Sequence, residues 1–167
     1  MTYSILFRFT DICEELKDKA DRRDALSKIG NELNLDISGG TMITNKDSHG
    51  GFHGEGVSLT IIQFDDENLK ELIENNDNWN AFPLNETAQG LLYGYKRYDG
   101  MYGPFLTDED GNPLVPPIKN GYYWLKDRQV RNEEAPGADL IHRSSLNLDV
   151  AVYDLDSGIL YYCKFDT

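Results

Sequence analysis

The chain holds three histidines, and two of them fall in one glycine-rich run, Asp47-Ser48-His49-Gly50-Gly51-Phe52-His53-Gly54-Glu55. Imidazole nitrogens and carboxylate oxygens are the donors that zinc and other first-row ions take, and His49 and His53 are near enough in sequence to converge on one ion. Asp47, His49, His53 and Glu55 therefore form the alternative metal set. The spacing matches no metal signature, and glycines on every side give the ligands little rigidity. The first expectation is accordingly no metal and no cofactor. Asp108, Glu109, Asp110 and Asn112 superficially resemble an oxygen-rich calcium loop, but an EF-hand needs a glycine at its sixth position, a distant glutamate and two flanking helices. Gly111 comes too early, so a hairpin tip is expected there. His142-Arg143-Ser144-Ser145 sets a base beside hydroxyls, and Cys13 or Cys163 could meet a histidine in space. Adjacency in sequence does not make a triad, which is a spatial arrangement. The chain has no nucleophile elbow, P-loop or dinucleotide-binding turn. No catalytic residue is assigned.

Charge and tyrosine say more. Asp and Glu number 29 against 16 Lys and Arg, a formal net charge of −13. Such a field repels nucleic-acid phosphates and anionic lipid, and it draws a basic protein quickly. Tyrosine is tolerated on surfaces and enriched at binding hot spots. In a strand, Tyr122 and Tyr123 must face opposite sides, as must Tyr161 and Tyr162. One of each pair then faces away from the core unless a second layer covers it. The expected partner-binding surface is Asp108, Glu109, Asp110, Glu133 and Glu134 with Tyr122 and Tyr162.

These residues need a scaffold, and its clearest part is the stretch from Ser145 to Asp166. Leu146, Leu148, Val150 and Val152 alternate with Asn147, Asp149, Ala151 and Tyr153; after a turn over Asp154 to Gly158, Ile159, Tyr161, Cys163 and Phe165 alternate in the same way. This is a β-hairpin signal, with Val152 placed opposite Ile159 and Leu148 opposite Cys163. Upstream, Tyr3 to Phe9 reads as a strand. Ile12, Leu16, Ala20 and then Leu26, Ile29, Leu33 read as two short helices or one kinked helix around Asp21-Arg22-Arg23-Asp24. Leu35 to Asn45 and Val57 to Phe64 read as strands, and Leu69, Leu72 and Ile73 as a helix. Leu91 to Tyr98 and Gly121 to Asp127 are strand candidates by aromatic enrichment.

At 167 residues, with no internal repeat and no sharp change of composition, one domain over 1–167 is expected. The fold class is α+β: a mostly antiparallel sheet of about six strands, two or three helices from the N-terminal half packed on one face, and a C-terminal β-hairpin. No apolar stretch approaches the ~20 residues of a membrane span. The start has no basic and apolar signal-peptide pattern, so a cytoplasmic location is expected, with no membrane or nucleic-acid partner and a monomer or homodimer. The sequence favours a non-catalytic module that neutralises a basic protein, of the bacterial or phage immunity-protein or inhibitor type. The alternative is a small-ligand-binding protein or metal-dependent hydrolase using the loop from His49 to Glu55.

Overall fold

The computed structural model describes residues 3–50, 54–65, 67–98, 100–130, 140 and 143–167, with the side chains of 3–13 excepted. The chain forms two compact units, 1–40 and 41–167.

The first unit is built on one helix, α1 (Tyr3–Leu33). The strand expected over Tyr3 to Phe9 is absent, and so is the break expected at Asp21 to Asp24. No glycine or proline interrupts the chain before Gly30. Intrinsic preferences against helix are at most about 0.7 kcal/mol for each apolar residue in the run, too little to stop a continuous helix. Ion pairs at four-residue spacing run through and past the break: Glu15 with Lys19 at 3.0 Å, Asp18 with Arg22 at 3.1 Å and Asp24 with Lys28 at 3.3 Å. The helix stops by a backbone device. Asn34 takes a left-handed φ of 51°, its amide donates to the Asn31 carbonyl, and the Leu35 amide donates to Gly30 at 3.0 Å. This Schellman closure satisfies carbonyls that the helix end leaves open. A side chain on Gly30 would bring its Cβ within 2.7 Å of the Leu35 oxygen, so the closure depends on glycine there.

The second unit contains β1 (Thr41–Asp47), β2 (Gly56–Gln63), α2 (Asn68–Glu74), β3 (Asn80–Ala81), α3 (Glu86–Leu92), β4 (Tyr95–Arg97), β5 (Gly100–Tyr102), β6 (Gly121–Asp127), β7 (Asn147–Asp154) and β8 (Ile159–Asp166). The expected α+β class and C-terminal hairpin are present. Six strands form one antiparallel sheet in the order β1-β2-β8-β7-β6-β3, and β4 with β5 forms a separate ribbon. In the hairpin, Asp154 pairs with Ile159, Val152 with Tyr161 and Val150 with Cys163. That is two residues away from the expected register. Alternation decides which face a residue takes and is blind to a two-residue slip; the turn decides the rest. The Gly158 amide returns to the Asp154 carbonyl at 2.9 Å, and Gly158 has φ 68°, which closes a loop shorter than the one expected.

Leu91-Leu92-Tyr93, expected in a strand, belongs mostly to α3. Asn85 caps that helix by accepting from the Ala88 amide at 2.8 Å, and Glu86 sits in its first turn, both favourable at a helix start. Leu91 and Leu92 are fully buried. They join Leu148, Val150, Val152 and Cys163 in the main core on one sheet face. The opposite face carries Tyr153, which meets Phe64 edge-on at 6.5 Å, and Tyr122, whose hydroxyl reaches Glu74 of α2. The two short helices thus lie toward opposite faces. Among the described residues, no helix is long and apolar enough to cross a membrane.

Candidate functional site

Of the expected partner-binding residues, the structure describes five. Asp108, Glu109 and Asp110 are all exposed, at the tip of a loop closed by the Thr107–Pro113 bridge. Their roles differ. Asp108 turns inward, its Oδ1 accepting from the Asp110 amide at 3.0 Å and the Asn112 amide at 2.8 Å, its Oδ2 from Asn112 Nδ2 at 3.2 Å. The Asn112 backbone bond, then its side-chain bond, hold this carboxyl below the ordinary 3.8. Asp108 therefore builds the tip, while Glu109 and Asp110 present charge outward. Glu133 and Glu134 lie outside the described residues.

Tyr162 does not reach the surface. It is 2% exposed, with Tyr123 at 4% and Tyr161 at 7%. The central strands β7 and β8 are covered on both faces, so alternation puts no tyrosine of β8 into solvent. Tyr162 is a core residue and drops out of the contact set. Tyr122 is half-buried and donates from its hydroxyl to Glu74 Oε1 at 2.7 Å. That bond is the main cause raising its phenol above the ordinary 10.0.

Tyr122 leads to a feature that composition did not announce. A groove of about 830 Å³ opens where β6 begins. It is lined by Phe82, Pro83 and Leu84, just after β3, by Pro117, Ile118, Lys119 and Asn120, and by Tyr93, Tyr122 and Leu155. Pro113, one residue beyond the acidic tip, is part of its wall. Its size falls within the roughly 300–1,000 Å³ typical of binding pockets. The segments are fixed by main-chain bonds, Phe82 N to Gly121 O at 3.0 Å and Leu155 N to Asn120 O at 3.1 Å. Tyr93 donates its hydroxyl to the Pro116 carbonyl at 2.8 Å. Burial raises the Tyr93 phenol, opposed by a backbone hydrogen bond from Ile118.

The alternative set is only partly assembled. Asp47 and His49 meet, with Nδ1 of the ring 2.5 Å from Asp47 Oδ1, but Nε2 faces Asp166 Oδ2 at 3.0 Å. Both ring nitrogens thus face carboxylates of the protein, an arrangement for tethering a loop. Glu55 is exposed and His53 lies outside the described residues. Among the described residues, no three His, Cys, Asp or Glu side chains converge to hold a metal. Asp166 also accepts from Arg128 Nη2 at 2.7 Å, and Arg128 Nε lies 3.0 Å from Asp149 Oδ1. Beside it, Arg143 pairs with Asp127 and donates to Gln129 Oε1 at 3.1 Å. Cys163 is buried at 1% exposure, its thiol pushed up to about 12 by desolvation. A thiol so placed is no nucleophile, since the thiolate is the reactive form.

No protein-family model matches the chain, and neither a curated protein nor a solved structure matches it.

Proposed function

We propose that this is a non-catalytic cytoplasmic module that holds and neutralises a basic protein, in the manner of immunity proteins and phage inhibitors. The observation that supports this most is the aromatic groove at Tyr122, flanked by carboxylates in a chain of net charge −13. Glu74 bonds the Tyr122 hydroxyl, Asp156 accepts from Asn120 Nδ2 at 3.2 Å, and the tip bearing Glu109 and Asp110 adjoins Pro113. An apolar centre with a charged rim is the anatomy of a protein-binding patch. The net field would speed encounter with a cationic surface and lose force as salt screens it.

The test is capture on the immobilised protein at low ionic strength, with elution along a salt gradient. A single basic protein, held stoichiometrically and released as salt rises, is the expected result. Retention of no basic protein at low salt overturns the proposal.

A further inference from the structure

The groove at the start of β6 differs in chemistry from its surroundings. Its walls are mostly apolar or aromatic, with Phe82, Leu84, Ile118 and Leu155 beside the rings of Tyr93 and Tyr122. No carboxylate lines it, and its one charged side chain is Lys119, which is exposed. Among the described residues this ammonium has no ion-pair partner. Two amides add donors. Gln89 Nε2 gives one N–H to the Gly94 carbonyl at 3.2 Å, and Asn120 Nδ2 gives one to Asp156 Oδ1 at 3.2 Å. Each amide nitrogen carries two protons, so each keeps one unspent. The phenol protons of Tyr93 and Tyr122 are already given to Pro116 O and Glu74 Oε1.

An apolar cleft with a few polar groups takes an apolar body and orients it by those groups. Here the groups are a cation and unspent N–H donors, and Lys119 and Asn120 are neighbours that both line the groove. A cationic occupant would face Lys119 with no lining carboxylate to hold it. A pure hydrocarbon would leave the ammonium and the amide protons unused. A carboxylate accepts from both at once, through charge-assisted bonds roughly twice as strong as neutral ones, while an aromatic body packs on the rings and aliphatic walls. We infer that the groove binds a small aromatic carboxylate, its acid group on Lys119 and Asn120 and its body against Phe82, Ile118 and Leu155. The net charge of −13 opposes any anion at long range. At physiological salt that field is screened over about 8 Å, so the contacts inside the groove decide. The site goes beyond the basic-partner reading, which rests on carboxylates outside the groove.

The probe is phenylbutyrate, a ring on a short chain ending in a carboxylate, titrated into the protein and followed by amide NMR in about 0.15 M salt. Saturable shifts should concentrate at Leu84, Lys119, Asn120, Gly121 and Leu155. Phenylbutyramide, of equal shape and no charge, should bind about three- to tenfold more weakly, the scale of one partly exposed charge-assisted contact. Lys119→Met should weaken phenylbutyrate by about the same factor and leave phenylbutyramide within about twofold. Lys126→Met removes an equal charge toward the other end of β6 and should change neither ligand by more than about twofold, because a distant charge is screened. The amide binding as tightly as the acid, or equal losses from the two lysine variants, overturns the inference. So does saturation on another face, or no saturable shift in the groove up to about 10 mM phenylbutyrate. Capture of a basic protein is measured separately, so the failure of one reading leaves the other standing.

Discussion

Asp166 Oδ2 lies 3.0 Å from His49 Nε2, joining β8 to the β1–β2 connection across 117 positions of sequence. With Asp47 on the other ring nitrogen, the imidazole ties a glycine-rich loop to a central strand. His49→Ala should lower stability by about 1–2 kcal/mol, the net worth of hydrogen bonds to charged groups at a partly exposed site. Urea unfolding at pH 7 measures this; an unchanged midpoint contradicts the tether.

Asp47 gives that tether a pH signature. The His49 amide, then the His49 side chain, hold its carboxyl below the ordinary 3.8. A folded pKa below the unfolded one contributes stability above the unfolded value, lost as pH falls through the folded value. The site is largely exposed, so the effect is small. Asp47→Asn should flatten the acid limb of the stability profile below about pH 4, and carboxyl NMR should show Asp47 titrating lower than a free aspartate. A normal titration refutes the bond.

Cys163 lies at the centre of the hairpin, opposite Val150. Its burial and raised pKa predict silence toward thiol reagents at pH 8, where the thiolate is scarce and inaccessible. In a Cys13→Ser background, disulfide-exchange reagent should label no native protein over minutes and one thiol once denaturant is added. Prompt native labelling contradicts the placement.

Part of this architecture is legible in the residues. Gly121 to Asp127 reads as a strand and is β6, because aromatic enrichment and flanking turns agree. The hairpin faces follow from alternation, while their register waits on the Gly158 turn. Tyr3 to Phe9 looks like a strand since its apolar run has no period of its own, yet continuity with a long helix decides. Leu91-Leu92-Tyr93 misleads likewise, although Asn85-Glu86 before it is a readable helix start. Tyr162 is misplaced because a strand pattern reports which face a side chain takes, never whether that face is covered. The groove is invisible in sequence: its walls come from prolines and turn residues in separate segments, none distinctive alone.

Tyr122 supplies a spectroscopic test of the groove rim. Its hydroxyl donates to Glu74, and this bond raises the phenol above 10.0. A raised folded pKa contributes stability that is present below the unfolded value and lost as pH rises through the folded one. Glu74→Gln should move one tyrosine of the alkaline ultraviolet titration to lower pH, and Tyr122→Phe should delete that same component. Coincident curves for wild type and Glu74→Gln contradict the contact.

Arg128 offers the sharpest test of the sheet's polar end. It stands between Asp166, partly exposed, and Asp149, whose side chain is fully buried. Burial works to lower its pKa, yet the bond to Asp166 and the charge of Asp149 leave it raised. Removing one partner of a buried pair leaves a carboxylate in low dielectric without its guanidinium, so Arg128→Met should cost about 3 kcal/mol at pH 7. Burial would then push the Asp149 carboxyl upward. A raised folded pKa means stability present below the unfolded value and lost as pH rises, so the deficit of Arg128→Met should grow as pH rises from about 4 toward neutrality. Adding Asp149→Asn removes the titrating group, and the pH-dependent part of the deficit should vanish with it. Urea unfolding of the two variants across that range decides the matter; a deficit constant with pH means that Asp149 is not the charge Arg128 compensates.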